Sequence, residues 1–143
     1  MHVYDILRFI DEKYPFCEAL SWDNVGLLVG DEAWAATKAH IALDATDKAI
    51  ETAIKEGADV IITHHPMIFS QMKQIRGDDF TGSRIITLIK HHISCIAMHT
   101  NYDIYGMADL AASRLSLMDC VPLDETGEGV GIGRVGEASA FMT

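Results

Sequence analysis

A chain of 143 residues is long enough for one domain, or for half of a larger one, and can bury roughly two-thirds of its unfolded surface. Hydrophobic residues make up 49% of it, yet no apolar run approaches the ~20 residues of a membrane span. Eleven basic against 21 acidic residues give a net charge of −10, which repels a phosphate backbone and argues against general nucleic-acid binding; a small anionic substrate stays allowed, because a bound cation reverses the local field.

The N-terminus, Met1-His2-Val3-Tyr4-Asp5, has neither a basic segment nor a small-residue cleavage site. Cys17, Cys95 and Cys120 are odd in number and scattered, with no Cys-x-x-Cys pair. A cytoplasmic protein with reduced thiols is expected, and Cys95, inside an apolar run, reads as a core residue.

Val3, Ile6, Leu7 and Ile10 follow the i, i+3, i+4, i+7 spacing of a helix with one buried face, closed by Pro15. In Ser21 to Asp31 a polar turn leads into the apolar strand Val25–Val29. Asp23 and Asn24 shape or cap that turn, with contact to a substrate or to a ligand residue as the alternative. Ile41-Ala42-Leu43 reads as a short buried strand. Asp44 to Thr46 then start a helix with Ala49, Ile50, Ala53 and Ile54 on its apolar face and Gly57 as a left-handed cap. Val60 to Thr63 is the next strand, which completes a strand-helix-strand unit of the kind that builds parallel sheets. From Pro66 to about Thr81 no periodicity is visible, and so long a connection suits a flap over a site.

Thr81 to Ser83 are placed to cap a helix carrying Ile85, Ile86, Leu88 and Ile89, followed by the strand Ile93–Met98 and a second crossover. His91-His92 fall at that helix's end, where imidazolium interacts favourably with the dipole. A surface role is expected for them, and also for His2 and His40. Met107–Leu115 reads as a further helix. Gly131-Ile132-Gly133-Arg134-Val135-Gly136 matches G-x-G-x-x-G, but only seven residues follow, too few for the helix and acidic residue of a dinucleotide site, so the stretch reads as turn and strand. Nothing resembles a P-loop, and no solenoid-period repeat is present. The fold class expected is α/β, with strand-helix-strand units forming a mostly parallel or mixed sheet flanked by helices, over residues 1–143.

The chemistry concentrates in His64-His65, at the end of the apolar run Val60–Thr63. The strand Ile93–Met98 likewise ends in His99-Thr100-Asn101-Tyr102-Asp103. Two strand ends thus deliver imidazole and a carboxylate to corresponding points, as a Zn, Mn or Fe site requires, and the absence of cysteine there disfavours Cu(I). Adjacent strand residues point in opposite directions, so His64 and His65 share one site only if the chain turns there. Alternatively each addresses one of two ions bridged by Asp103, an arrangement that lowers the pKa of a shared water.

Trp22-Asp23-Asn24-Val25-Gly26-Leu27-Leu28-Val29-Gly30-Asp31, then Thr63-His64-His65-Pro66-Met67-Ile68-Phe69, then His99 to Asp103 with Gly106-Met107-Ala108-Asp109, closely resemble the Nif-three-like dinuclear metal-centre family. Its bacterial members are commonly labelled GTP cyclohydrolase I type 2 homologues, and the likeness runs from residue 1 to about residue 137. The resemblance implies that His64, His65 and Asp103 are metal ligands, with His99 near the site and its direct ligation left open. It also implies two divalent ions per site, a toroidal hexamer and a cytoplasmic location.

Family members are longer, and their closing part carries a His-x-x-x-Glu that completes the centre. Here no histidine follows His99. The expectation is therefore the N-terminal half of the family fold, a fragment or truncated product, or else a centre completed by a different chain, with incomplete metal occupancy and a tendency to self-associate. Functionally it reads as a metal-dependent hydrolase of a nucleotide-like or phosphorylated small molecule. The alternatives are a non-catalytic metal-binding oligomeric scaffold or regulator, or an inactive truncated remnant. No residue is assigned a catalytic role.

Overall fold

The computed structural model describes residues 1–138. The elements are α1 (Val3–Lys13), a 3-10 turn (Phe16–Glu18), β1 (Gly26–Val29), β2 (Ala39–Ala42), α2 (Asp47–Glu56), β3 (Val60–Thr63), α3 (Phe80–Lys90), β4 (Ser94–Ala97), α4 (Thr100–Tyr102), a π turn (Asp103–Met107), α5 (Ala108–Arg114), β5 (Leu117–Gly127) and β6 (Val130–Ala138). The first four strands form a mixed sheet in the order β1-β4-β3-β2, and β5 and β6 form a separate antiparallel hairpin.

Strand alternation divides the core between the two faces of the sheet, as period-2 side-chain geometry requires. Ile61 and Cys95 point to one face, where they pack with Ile50, Ala53, Ile85 and Leu88 of α2 and α3. Val60 and Ile96 point to the other, beneath Val3, Leu7 and Ile10 of α1. Ile61, Leu88, Ile93 and Ile96 are fully buried, each contributing roughly 1.5–3 kcal/mol of transfer free energy. Burial pushes the Cys95 thiol up to about 12, with a hydrogen bond to Thr63 opposing it, so this cysteine is an inert core residue as expected.

Two parallel crossovers set the registers that matter for the site. Ala42 pairs with Thr63, and Thr63 with Ala97, so β2, β3 and β4 end level with one another. The antiparallel β1 starts at that same edge, Gly26 opposite Ala97. Consequently Asp23-Asn24, Asp44, His64-His65 and His99 all emerge at one edge of the sheet.

Several boundaries differ from the sequence reading. β2 begins at Ala39 and ends at Ala42, because it pairs along β3 from Val60 onward. The cap of α3 is Asp79, not Thr81 to Ser83: its carboxylate accepts from Gly82 N at 2.8 Å, a stronger acceptor for an orphan amide than a hydroxyl. The helix read as Met107–Leu115 starts much earlier. α4 begins at Thr100, directly after β4, and reaches α5 through the π turn, so Asp103 lies on helical backbone. α2 has its cap at Thr46 and ends at Gly57 in the left-handed region (φ 65°), as read.

The G-x-G-x-x-G stretch lies on β6. A Cβ at Gly131 would come within 2.1 Å of Asp124 O on β5, so this glycine serves close strand pairing and not a phosphate. Arg134 fastens the hairpin to α5 through Asp109 (2.5 Å). His91 is exposed at the end of α3, His92 lies against Trp34 with ring centroids 4.9 Å apart, and His40 pairs with Glu56. None of the three groups with His64, His65 and His99. Among the described residues no helix is long and apolar enough to cross a membrane.

Candidate metal centre

The strand β3 ends at Thr63, and the chain turns at once. His64 N and His65 N donate to Ala42 O and Leu43 O, while Thr63 Oγ1 donates to His65 O (2.9 Å). This turn brings both imidazoles to one side, with ring centroids 5.0 Å apart. The condition on which sharing depended is therefore met. His99, at the end of the neighbouring β4, completes the group: its ring lies 5.0 Å from His64 and 5.7 Å from His65. One potential ligand atom from each of the three falls within 4.8 Å of the others, so His99 belongs to the cluster as fully as the pair does.

Each ring is held through its Nδ1. His64 Nδ1 lies 3.0 Å from Met98 O, His65 Nδ1 lies 2.7 Å from Asp44 Oδ1, and His99 Nδ1 lies 2.9 Å from Asp23 Oδ1. A carbonyl or ionised carboxylate only accepts, so in every case Nδ1 carries the proton, and a neutral imidazole then presents its lone pair at Nε2. Asp103 lies beside His64, outside the group of three whose ligand atoms gather within 4.8 Å of one another. Its Oδ1 is 3.6 Å from His64 Nε2, beyond hydrogen-bond length but within ion-pair reach.

Asp23 is the most constrained member. Its side chain has no exposed surface. Burial alone would raise its pKa, but hydrogen bonds from Thr100 Oγ1, His99, Thr100 N and Asn24 N outweigh that and hold the carboxyl below its ordinary value. Asn101, fully buried, accepts from His99 N and donates to Tyr14 O, fixing the backbone where β4 passes into α4. Asn24 donates to Ile68 O (2.6 Å), tethering the 64–79 connection to the same edge.

The sequence reading identified His64, His65, His99 and Asp103. It gave Asp23 mainly to the turn and Asp44 to the start of α2. Asp23 does shape the turn, through Asn24 N, but the same oxygen also holds His99. Asp44 follows a strand parallel to the one bearing His65, and level strand ends place the two side by side. On the α1 side, a groove of about 540 Å³ lined by Ile6, Ile41, Ile62 and Tyr102 runs up to His64.

Fold and site together define an α/β protein whose chemistry sits at one edge of a mixed sheet, in three imidazoles each locked by its own acceptor. The Duf34/NIF3 (NGG1p interacting factor 3) family profile matches residues 1–143, and the chain belongs to that family. It is 41% identical over 119 residues to a GTP cyclohydrolase 1 type 2 homolog of Staphylococcus aureus (strain COL), covering 82% of this chain and 32% of that protein. It is 38% identical over 150 residues to the Clostridium perfringens (strain 13 / Type A) protein of the same name, covering 100% and 56%. The crystal structure of a Bacillus cereus protein related to NIF3 superposes with a TM-score of 0.83 at 36% identity, over 89% of this chain and 35% of that one. The chain thus spans about half, or less, of the length of the relatives it matches.

Proposed function

We propose that His64, His65, His99 and Asp103 bind a divalent metal ion, Zn, Mn or Fe, and that the protein is a metal-dependent hydrolase of a nucleotide-like or phosphorylated small molecule. One observation carries this reading: Met98 O, Asp44 and Asp23 each engage the Nδ1 of one of three imidazoles, one ligand atom from each ring falls within 4.8 Å of the others, and Asp103 stands 3.6 Å from His64. Histidine ligands typically have this second hydrogen bond to carboxylate or carbonyl. An ion held by these residues would supply Lewis-acid chemistry, activating a water and polarising a phosphoryl or carbonyl oxygen. The chain's own residues orient the ligands: Met98 O holds His64, Asp44 holds His65 and Asp23 holds His99.

Residues 1–143 are read as one α/β unit corresponding to the shared part of the longer relatives, working in the cytoplasm as a homo-oligomer, with the hexamer as the assembly. Three imidazoles and one carboxylate are fewer donors than two ions need. That shortage favours a second reading, a metal-binding scaffold or regulator without turnover.

Hydrolysis separates the two. Metal-reconstituted protein assayed against phosphomonoesters, phosphodiesters and nucleotides is expected to turn over at least one class, with His64→Ala and Asp103→Ala each abolishing it. Activity that survives both substitutions rules out the hydrolase. Metal binding without turnover selects the scaffold.

A further inference from the structure

Two aromatic side chains beside the cluster have no part in the core. Trp22 is 57% exposed and Phe69 is 56% exposed. Their ring centroids lie 6.0 Å apart, and Trp22 lies 6.1 Å from the His99 ring. Both contacts are tilted, at 61° and 75°, so neither neighbour is stacked in parallel on the indole.

Each ring is carried by backbone that the centre itself secures. Trp22 directly precedes Asp23, the buried holder of His99, and Leu20 N donates to Thr100 Oγ1 on the other side (2.9 Å). Phe69 directly follows Ile68, whose carbonyl accepts from Asn24. The run Trp22-Asp23-Asn24 therefore holds the wall, the ligand and the facing loop together. Exposed aromatic surface is costly in water, and here it borders the histidine cluster.

We propose that Trp22 and Phe69 form a stacking wall for a planar heteroaromatic ring, on a ligand whose anionic end reaches the histidine cluster. The proposal rests on the metal-centre reading and narrows its substrate class from phosphorylated small molecules in general to those bearing such a ring. Indole is the side chain best suited to this, because every nucleobase-like ring presents a π face to it whatever its edge pattern. Selectivity is then for the ring over its absence, more than for one base over another.

Calorimetric titration with guanosine monophosphate, cytidine monophosphate and ribose 5-phosphate tests this, with zinc binding followed separately on the same proteins. Wild type is expected to bind both ring-bearing probes about tenfold or more tightly than ribose 5-phosphate. Trp22→Leu, which keeps apolar bulk without the π face, should remove most of that preference while leaving zinc and ribose 5-phosphate binding unchanged. Trp22→Phe should restore part of it. Equal binding of all three probes by wild type, or a preference that survives Trp22→Leu, overturns the wall. Loss of zinc binding in the His99→Ala variant with the Trp22→Leu variant unaffected keeps the metal reading standing whichever way the wall falls.

Discussion

Replacing Asp23 by alanine is expected to weaken zinc binding about 10- to 100-fold and to destabilise the fold by about 3 kcal/mol. The affinity loss follows from the Asp23–His99 contact. Without the carboxylate, His99 can turn or take the other tautomer, and its lone pair is no longer fixed toward His64 and His65. The stability loss has a separate origin: Thr100 N, Thr100 Oγ1 and Asn24 N all donate to this one fully buried group, and alanine leaves them unpaired where water does not reach easily. Asp23→Asn separates the two effects. It keeps an acceptor oxygen for part of the loop but cannot accept on both sides, so affinity should fall by more than stability does. Urea unfolding and competition with a chromophoric chelator measure each quantity, and unchanged zinc affinity in Asp23→Ala would contradict the role assigned here.

The second large effect lies at the opposite end of β1. Gly30 has φ 113°, a region closed to side chains, and a Cβ there would come within 2.3 Å of Ser94 Oγ and 2.9 Å of Ser94 Cα. Ser94 is fully buried on β4, so it has no room to yield. Backbone strain of about 1–3 kcal/mol and overpacking of similar size together predict that Gly30→Ala costs about 3 kcal/mol or more. The damage would reach the site, because β1 is what carries Asp23 to the edge. Gly77→Ala is the control: nothing lies within 4 Å of its added Cβ, and a change within about 0.5 kcal/mol is expected by the same denaturation measurement.

Much of this arrangement could be read from residues alone, for reasons tied to particular elements. α1 and α2 carry unbroken apolar faces, and the buried runs of β3 and β4 are bounded by Gly57 and by histidine, so their existence and order were legible. The parallel pairing of β2, β3 and β4 and the convergence of His64, His65 and His99 then follow from two crossovers, while the antiparallel β1 makes the sheet mixed. The start of α4 was not legible, since Thr100-Asn101-Tyr102 shows no apolar periodicity. It forms because Tyr102 N and Asp103 N both reach back to His99 O and Asn101 is pinned to Tyr14. The Asp23–His99 and Asp44–His65 contacts were hidden for a related reason. Each joins residues from different strands, so it depends on strand order and register, which a local pattern does not encode.

Zinc titration of the full chain, with elemental analysis after dialysis, tests the central claim most directly. The arrangement predicts binding of fewer than two ions per chain, weakened sharply by His64→Ala, His65→Ala or His99→Ala and unaffected by His91→Ala or His92→Ala. Two firmly held ions per chain would contradict the ligand count, and zinc retained undiminished after all three cluster substitutions would contradict the centre itself.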